Sequence, residues 1–155
     1  MSRAEIPRIG IDLGGTKIEG VLMSGEGEIL RRQRVPTPRG RYRATLEAIR
    51  DLIDELGAGI SVPPGVGIGT PGAISPATGL IKNANSAWLN GKPLARDLQR
   101  LIEREARFAN DADCFALSEA TDGAGAGAAV VFGVILGTGV GGGIVVDGRA
   151  VSGPN

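Results

Sequence analysis

Two short runs rich in apolar residues, Ile6 to Asp12 and Ile18 to Met23, flank Gly14-Gly15. That pattern predicts two short strands joined by a tight turn. A third strand is predicted from Ile29 to Val35, stopped by Pro36 and Pro38, which cannot donate to a sheet ladder. From Tyr42 the period changes: Leu46, Ile49, Ile53 and Leu56 recur at the spacing of one helix face. A short strand from Val66 to Thr70 then ends in Pro71-Gly72, Leu94, Leu98, Leu101 and Ile102 mark a second helix, and Arg107 to Ala109 a further strand. Asn110 or Asp111 would cap a third helix, with Cys114, Leu117 and Phe115 as its buried positions. Its tail of Gly and Ala suits close packing. Ala129 to Leu136 reads as a buried strand, Gly137 to Gly143 as a turn, and Ile144 to Val146 as the returning strand.

Three strands followed by helices alternating with strands predict an α/β layer fold with a mixed sheet. The last strand pair has no following helix to cover it, and an apolar sheet face is costly to leave in water. The expected division is therefore a first lobe over residues 1–128 and the opening hairpin of a second lobe over 129–155, in a protein about twice as long. By itself the 155-residue chain is expected to be inactive and prone to associate through that hairpin.

Composition narrows the function. With 42% hydrophobic residues the chain can bury a core, and 17 basic against 17 acidic residues give no net attraction to nucleic acid or an anionic membrane. Charged residues interrupt every apolar run before the roughly 20 residues a spanning helix needs, and the first residues do not read as a secretory leader, so a cytoplasmic location is expected. One cysteine, Cys114, and no histidine exclude an internal disulfide and a Cys/His metal cluster within this stretch. The 26 glycines are in excess of the usual frequency and bunch at Gly14-Gly15, Gly65 to Gly72 and Gly137 to Gly143, where ligand-gripping turns would need them.

Asp12 closes the first strand just before Gly14-Gly15-Thr16-Lys17. Ligands gather at such strand ends in open α/β proteins. A Gly-Gly turn lets backbone N–H groups approach phosphate, Thr16 and Lys17 add a hydroxyl and a charge, and Asp12 is suited to hold a water on Mg²⁺. The competing reading is a plain hairpin turn. No GxxxxGK followed by Ser or Thr occurs, so it is not a Walker loop. Gly137-Thr138-Gly139-Val140-Gly141-Gly142 spells a dinucleotide fingerprint, but β-branched strand formers follow where a helix must open. A glycine hairpin facing a nucleotide phosphate suits it better, with packing as the alternative. Asp111, opening a helix, can accept a proton from an attacking hydroxyl or can serve as a cap. Asn110 and Asn85 carry a donor and an acceptor each, as sugar hydroxyls require, and suit surface turns equally well.

Four segments together resemble the ROK family of bacterial sugar kinases, and within it the fructokinases: GIDLGGTKIEG (10–20), GIGTPGAISPATGLIKNANSAWLNGKPL (67–94), ANDADCFALSEATDG (109–123) and FGVILGTGVGGGIVVDGR (132–149). The resemblance implies a ribonuclease H-like, actin-like ATPase lobe, a mixed β-sheet flanked by helices, with ATP and sugar in a cleft. It implies Asp111 as catalytic base. Asp12, Gly14, Gly15, Thr16 and Lys17 match a first phosphate motif, and Gly137, Thr138, Gly139, Gly141 and Gly142 a second. Gly72, Ala73, Asn85, Asn110 and Asp111 match sugar-contacting positions. The implied reaction is transfer from ATP, with Mg²⁺, to a hexose, fructose first. The alternatives are a glucokinase, a mannokinase, an N-acetylhexosamine kinase or a non-catalytic sugar-binding module. A homodimer, no nucleic-acid or membrane partner, and a structural zinc held only beyond this stretch are further implications.

Overall fold

In the computed structural model, residues 6–61, 63–136 and 139–151 are described. The chain divides into two compact units, before and after the Phe108–Ala109 bond. The division expected near residue 128 thus falls inside the second unit, because the helix after Asn110 packs with the strands that follow it.

In the first unit, β1 (Arg8–Leu13), β2 (Lys17–Met23) and β3 (Ile29–Pro36) form an antiparallel meander. α1 (Tyr42–Gly57) then crosses to β4 (Gly65–Thr70), which runs parallel to β1. The sheet order β3-β2-β1-β4-β7, with β7 at Ala106–Asn110, makes the sheet mixed. Between β4 and β7 lie a two-stranded ribbon of β5 (Ala73–Ile74) and β6 (Ile81–Lys82), a 3₁₀ turn at Ala87–Leu89 and α2 (Leu94–Leu101). Neither the ribbon nor the 3₁₀ turn was expected, because two- and three-residue elements carry no period to read.

The helical period of α1 buries Leu46, Ile49, Leu52, Ile53 and Leu56 against Ile9, Ile11, Leu13, Ile18 and Leu22 of the sheet. Alternation in β1 and β2 supplies the sheet's inner face. Gly20 permits the close approach: a Cβ there would stand 2.6 Å from Leu56 Cδ1 and 3.0 Å from Leu52 Cγ.

The second unit is α3 (Asp111–Thr121) on a three-stranded antiparallel sheet of β8 (Val130–Leu136), β9 (Val140–Val146) and β10 (Arg149–Ala150). Asp147 and Gly148, both at positive φ, make the two-residue connection from β9 to β10. Two expectations are corrected here. The buried residues of α3 are Ala112 and Ala116, whereas Cys114, Phe115 and Leu117 are exposed. Small residues face the sheet because Gly133 and Gly143 bring its backbone up to the helix, leaving no room for larger ones. Moreover, β9 begins at Val140, so Gly141, Gly142 and Gly143 lie in a paired strand rather than a turn.

Candidate active site

Two backbone features of the first unit hold the first predicted phosphate motif in shape. The β1–β2 connection closes through the Gly14 N–H to the Lys17 carbonyl at 3.0 Å, so tightly that a Cβ on Gly14 would stand 2.6 Å from that oxygen. Thr37 then staples the turn from outside. Its buried hydroxyl donates to the Gly14 carbonyl at 2.8 Å, and its N–H to the Thr16 carbonyl at 3.0 Å. Thr16 and Lys17 are exposed, as is Asp12, which stands opposite Glu19 in the β1–β2 register. Glu19 is engaged: Arg34 donates to its carboxylate through Nε at 2.7 Å and through a second nitrogen, and Arg32 lies 3.5 Å away. The Arg34 hydrogen bond holds the Glu19 carboxyl below its usual range. Asp12 is an exposed carboxylate at the end of β1, beside the turn. One carboxylate fits Mg²⁺, which is held by one or two carboxylates together with substrate phosphates and water.

The sugar-binding expectations of this unit fall on the loops around the β5–β6 ribbon. Gly72 sits at φ +70°, a conformation that favours glycine, and a Cβ there would stand 2.6 Å from the Ala84 nitrogen. Ala73 opens β5. Along residues 83 to 86 burial alternates: Asn83 and Asn85 are exposed, Ala84 and Ser86 buried. Ser86 Oγ lies 3.2 Å from where a Cβ on Gly15 would be, so the loop of Asn85 and the turn of Gly14-Gly15 are neighbours within the unit.

In the second unit, Asn110 is the N-cap of α3, accepting through Oδ1 from the N–H groups of Ala112 (3.0 Å) and Asp113 (3.4 Å). Asp111 is the first helical residue and its Oδ1 accepts from the Ala112 N–H at 2.8 Å. Two orphan donors of the helix end are thereby used to fix two candidate site residues. Asp113 follows in the same turn. Burial, and then the charge of Asp111, raise its carboxyl above the ordinary range. Gly139 precedes β9, Gly141 and Gly142 lie within it, and Gly137 and Thr138 lie outside the described residues. Gly141 and Gly142 have packing neighbours of their own: a Cβ on Gly141 would stand 3.2 Å from the Ala112 Cβ, and one on Gly142 3.1 Å from the Phe132 ring. Sequence reasoning missed Thr37, Ser86 and Asn90. Each acts by bonding or packing against backbone distant in sequence, which leaves no local pattern.

The family model of the ROK family matches residues 8–155, and the chain belongs to that family. Its α/β fold, a mixed sheet flanked by helices, is that of the actin-like ATPase class. It is 47% identical over 146 residues to an N-acetyl-D-glucosamine kinase of Yersinia pestis bv. Antiqua (strain Nepal516), covering 94% of this chain and 57% of the relative. Among solved structures it is similar to an inorganic polyphosphate/ATP-glucomannokinase from Arthrobacter sp. strain KM (36% identity, TM-score 0.80, 96% of this chain and 62% of that one). It is also similar to a ROK family glucokinase from Streptomyces griseus in complex with glucose and AMPPNP (31% identity, TM-score 0.82, 95% and 46%). The chain spans about half the length of the curated relatives it matches. The fructokinase expectation is corrected by these relatives, which are N-acetyl-D-glucosamine kinases. The four segments behind that expectation are features of the sugar-kinase family as a whole, so they do not discriminate a ketose from an amino sugar.

Proposed function

We propose that the chain supplies the phosphate-binding turn, sugar loops and catalytic base of an ATP-dependent hexose kinase whose acceptor is N-acetyl-D-glucosamine. The observation that carries this reading is Asp111, held at the head of α3 with one carboxylate oxygen tied to the helix backbone. Its other oxygen takes the proton of the sugar's primary hydroxyl as that oxygen attacks the γ-phosphorus; the new O–P bond forms as the bond to ADP breaks. Asn85 and Asn110, with the backbone at Gly72 and Ala73, orient the sugar. The Gly14-Gly15 turn, Thr16 and Lys17 meet the nucleotide phosphates, as do Gly139, Gly141 and Gly142 together with Gly137 and Thr138. Asp12 would hold Mg²⁺ through water, and bound magnesium supplies charge neutralisation on the phosphates. The choice of amino sugar rests on the curated relatives, and the choice of nucleotide on the AMPPNP-bound glucokinase.

The test is a coupled ADP-release assay on residues 1–155 fused to the remaining half of the Yersinia pestis relative. N-acetyl-D-glucosamine should give the highest kcat/KM among it, glucose, mannose and fructose. A folded fusion that phosphorylates none of the four would overturn the reading. Sugar binding without turnover would point instead to a sensor.

A further inference from the structure

Asn85, the exposed residue assigned to the sugar, has its conformation set by its neighbours, and these converge on Ala84. From one side Gly72, at φ +70°, packs its backbone against the Ala84 nitrogen and Cα. From another, the Asn90 side chain brackets the same residue: Asn90 Oδ1 accepts from the Ala84 N–H at 2.9 Å and Asn90 Nδ2 donates to the Ala84 carbonyl at 3.0 Å. One primary amide thus satisfies both backbone groups of one buried residue, as a strand partner would. Asn90 is itself fixed, because it ends the 3₁₀ turn with its own N–H on the Ala87 carbonyl at 3.2 Å, and the next residue, Gly91, returns to the Ile81 carbonyl at 2.8 Å. Ser86, on the other side of Asn85, is buried against the Gly14-Gly15 turn. Asn85 is therefore suspended between two anchors, one of them made by Asn90.

We infer that Asn90 is a positioning residue for sugar recognition: it touches no ligand, and it sets the backbone from which Asn85 reaches the hexose. This rests on the reading of Asn85 as a sugar contact. The acceptor–donor pair makes a specific demand. In Asn90→Ala both bonds are lost. In Asn90→Asp the carboxylate keeps the bond from the Ala84 N–H but turns a negative oxygen on the Ala84 carbonyl. A protonated carboxyl regains the donor and reproduces the amide's pattern, so the aspartate variant recovers as the pH is lowered.

The experiment is a titration, with N-acetyl-D-glucosamine, of residues 1–155 fused to the remaining half of the Yersinia pestis relative, followed by NMR at the Asn85 side-chain amide, with ATP titrated separately and followed at Thr16 and Lys17. Loss of the two bonds is expected to weaken sugar binding by roughly tenfold in Asn90→Ala. The ATP midpoint should stay within about twofold, which a general folding defect would not allow. Asn90→Asp should match Asn90→Ala at neutral pH and approach the parent fusion in acid. Equal sugar affinity in parent and Asn90→Ala, or an aspartate variant indifferent to pH, overturns the inference and leaves the functional reading standing. A parent fusion whose Asn85 does not respond to sugar overturns both.

Discussion

In the first unit Ile9, Leu13, Ile18, Leu52 and Leu56 are at most 1% exposed, whereas β8 and β9 of the second carry Phe132 at 67%, Leu136 at 79% and Val140 at 78%. Both sheets are built by alternation, and both have a helix on one face. The first closes its core because the long apolar side chains of α1 meet those of β1 and β2. The second seats α3 through Ala112 and Ala116 on glycines, buries Val145, and leaves Val130, Phe132, Val134 and Leu136 of β8 and Val140, Ile144 and Val146 of β9 exposed. Register makes these exposed residues one continuous face: Val130 pairs with Val146, Phe132 with Ile144 and Leu136 with Val140. The two units also use glycine differently. In the first it shapes loops at Gly14 and Gly72 and admits flexible leucine ends of α1 at Gly20; in the second it brings the helix backbone itself onto the sheet, at Gly133 and Gly143. A glycine-rich motif is therefore not by itself a phosphate site.

The largest effect that could break this comparison is a pair of leucine truncations. Leu52→Ala should cost about 2–5 kcal/mol, as removal of a fully buried leucine does, and Leu136→Ala should stay within about 0.5 kcal/mol. Urea denaturation with residue-resolved hydrogen exchange reads each unit separately, and equal losses would mean that the exposed face is covered in solution. Next in size is Gly143→Ala. Its Cβ would stand 2.8 Å from the Ala112 carbonyl carbon and 2.9 Å from the Asp113 Cα, both backbone atoms, so a loss of roughly 1–3 kcal/mol confined to the amides of α3 and its sheet is expected. Gly65→Ala, with nothing within 4 Å, is the control and should be near neutral.

The smallest effect is a difference in the sign of a pH dependence. Glu19, in the first unit, is held below its ordinary value of 4.5, first by the hydrogen bond from Arg34. Its contribution is present above that value and disappears as pH falls through the lower folded-state value. For an exposed pair it amounts to no more than about 1 kcal/mol. Asp113, in the second unit, is raised above 3.8 by burial and by Asp111. The folded state therefore keeps that proton longer, and the cost of ionising Asp113 is present above the raised value and vanishes below 3.8. Glu19→Gln should lose stability at neutral pH and nothing in acid. Asp113→Asn should gain at neutral pH and gain nothing in acid. Exchange measured across the acid range that gave both variants the same sign would refute the contrast.

The periodic parts of the fold were legible beforehand. α1 follows from spacing, because a 3.6-residue period fixes which face is buried, and the three opening strands and β4 follow from short runs bounded by glycine and proline. α3 was legible in position but not in orientation: Cys114, Phe115 and Leu117 are the larger apolar residues, and only the glycines across the sheet, far away in sequence, decide that Ala112 and Ala116 face inward instead. The β5–β6 ribbon was hidden for a similar reason. Its two-residue strands are held by backbone bonds, among them those of Ile81 to Lys92 and Gly91, and these leave no period. At the candidate site, the residues proposed from the sequence are those whose chemistry is visible in their type, such as Asp111 and Lys17. Thr37, Ser86 and Asn90, which hold loops in place, look like ordinary turn residues until the backbone groups they bind or pack against are known.

The most direct test of the central claim, that the head of α3 carries the base of a phosphoryl transfer, is the turnover of Asp111→Asn in the fusion, assayed with N-acetyl-D-glucosamine. The amide keeps the shape and an oxygen for the Ala112 N–H but cannot take the proton. The account predicts a kcat lowered by about 10²–10⁴-fold. Sugar affinity should stay within roughly tenfold of the parent. An unchanged kcat would contradict it and remove Asp111 from the chemistry.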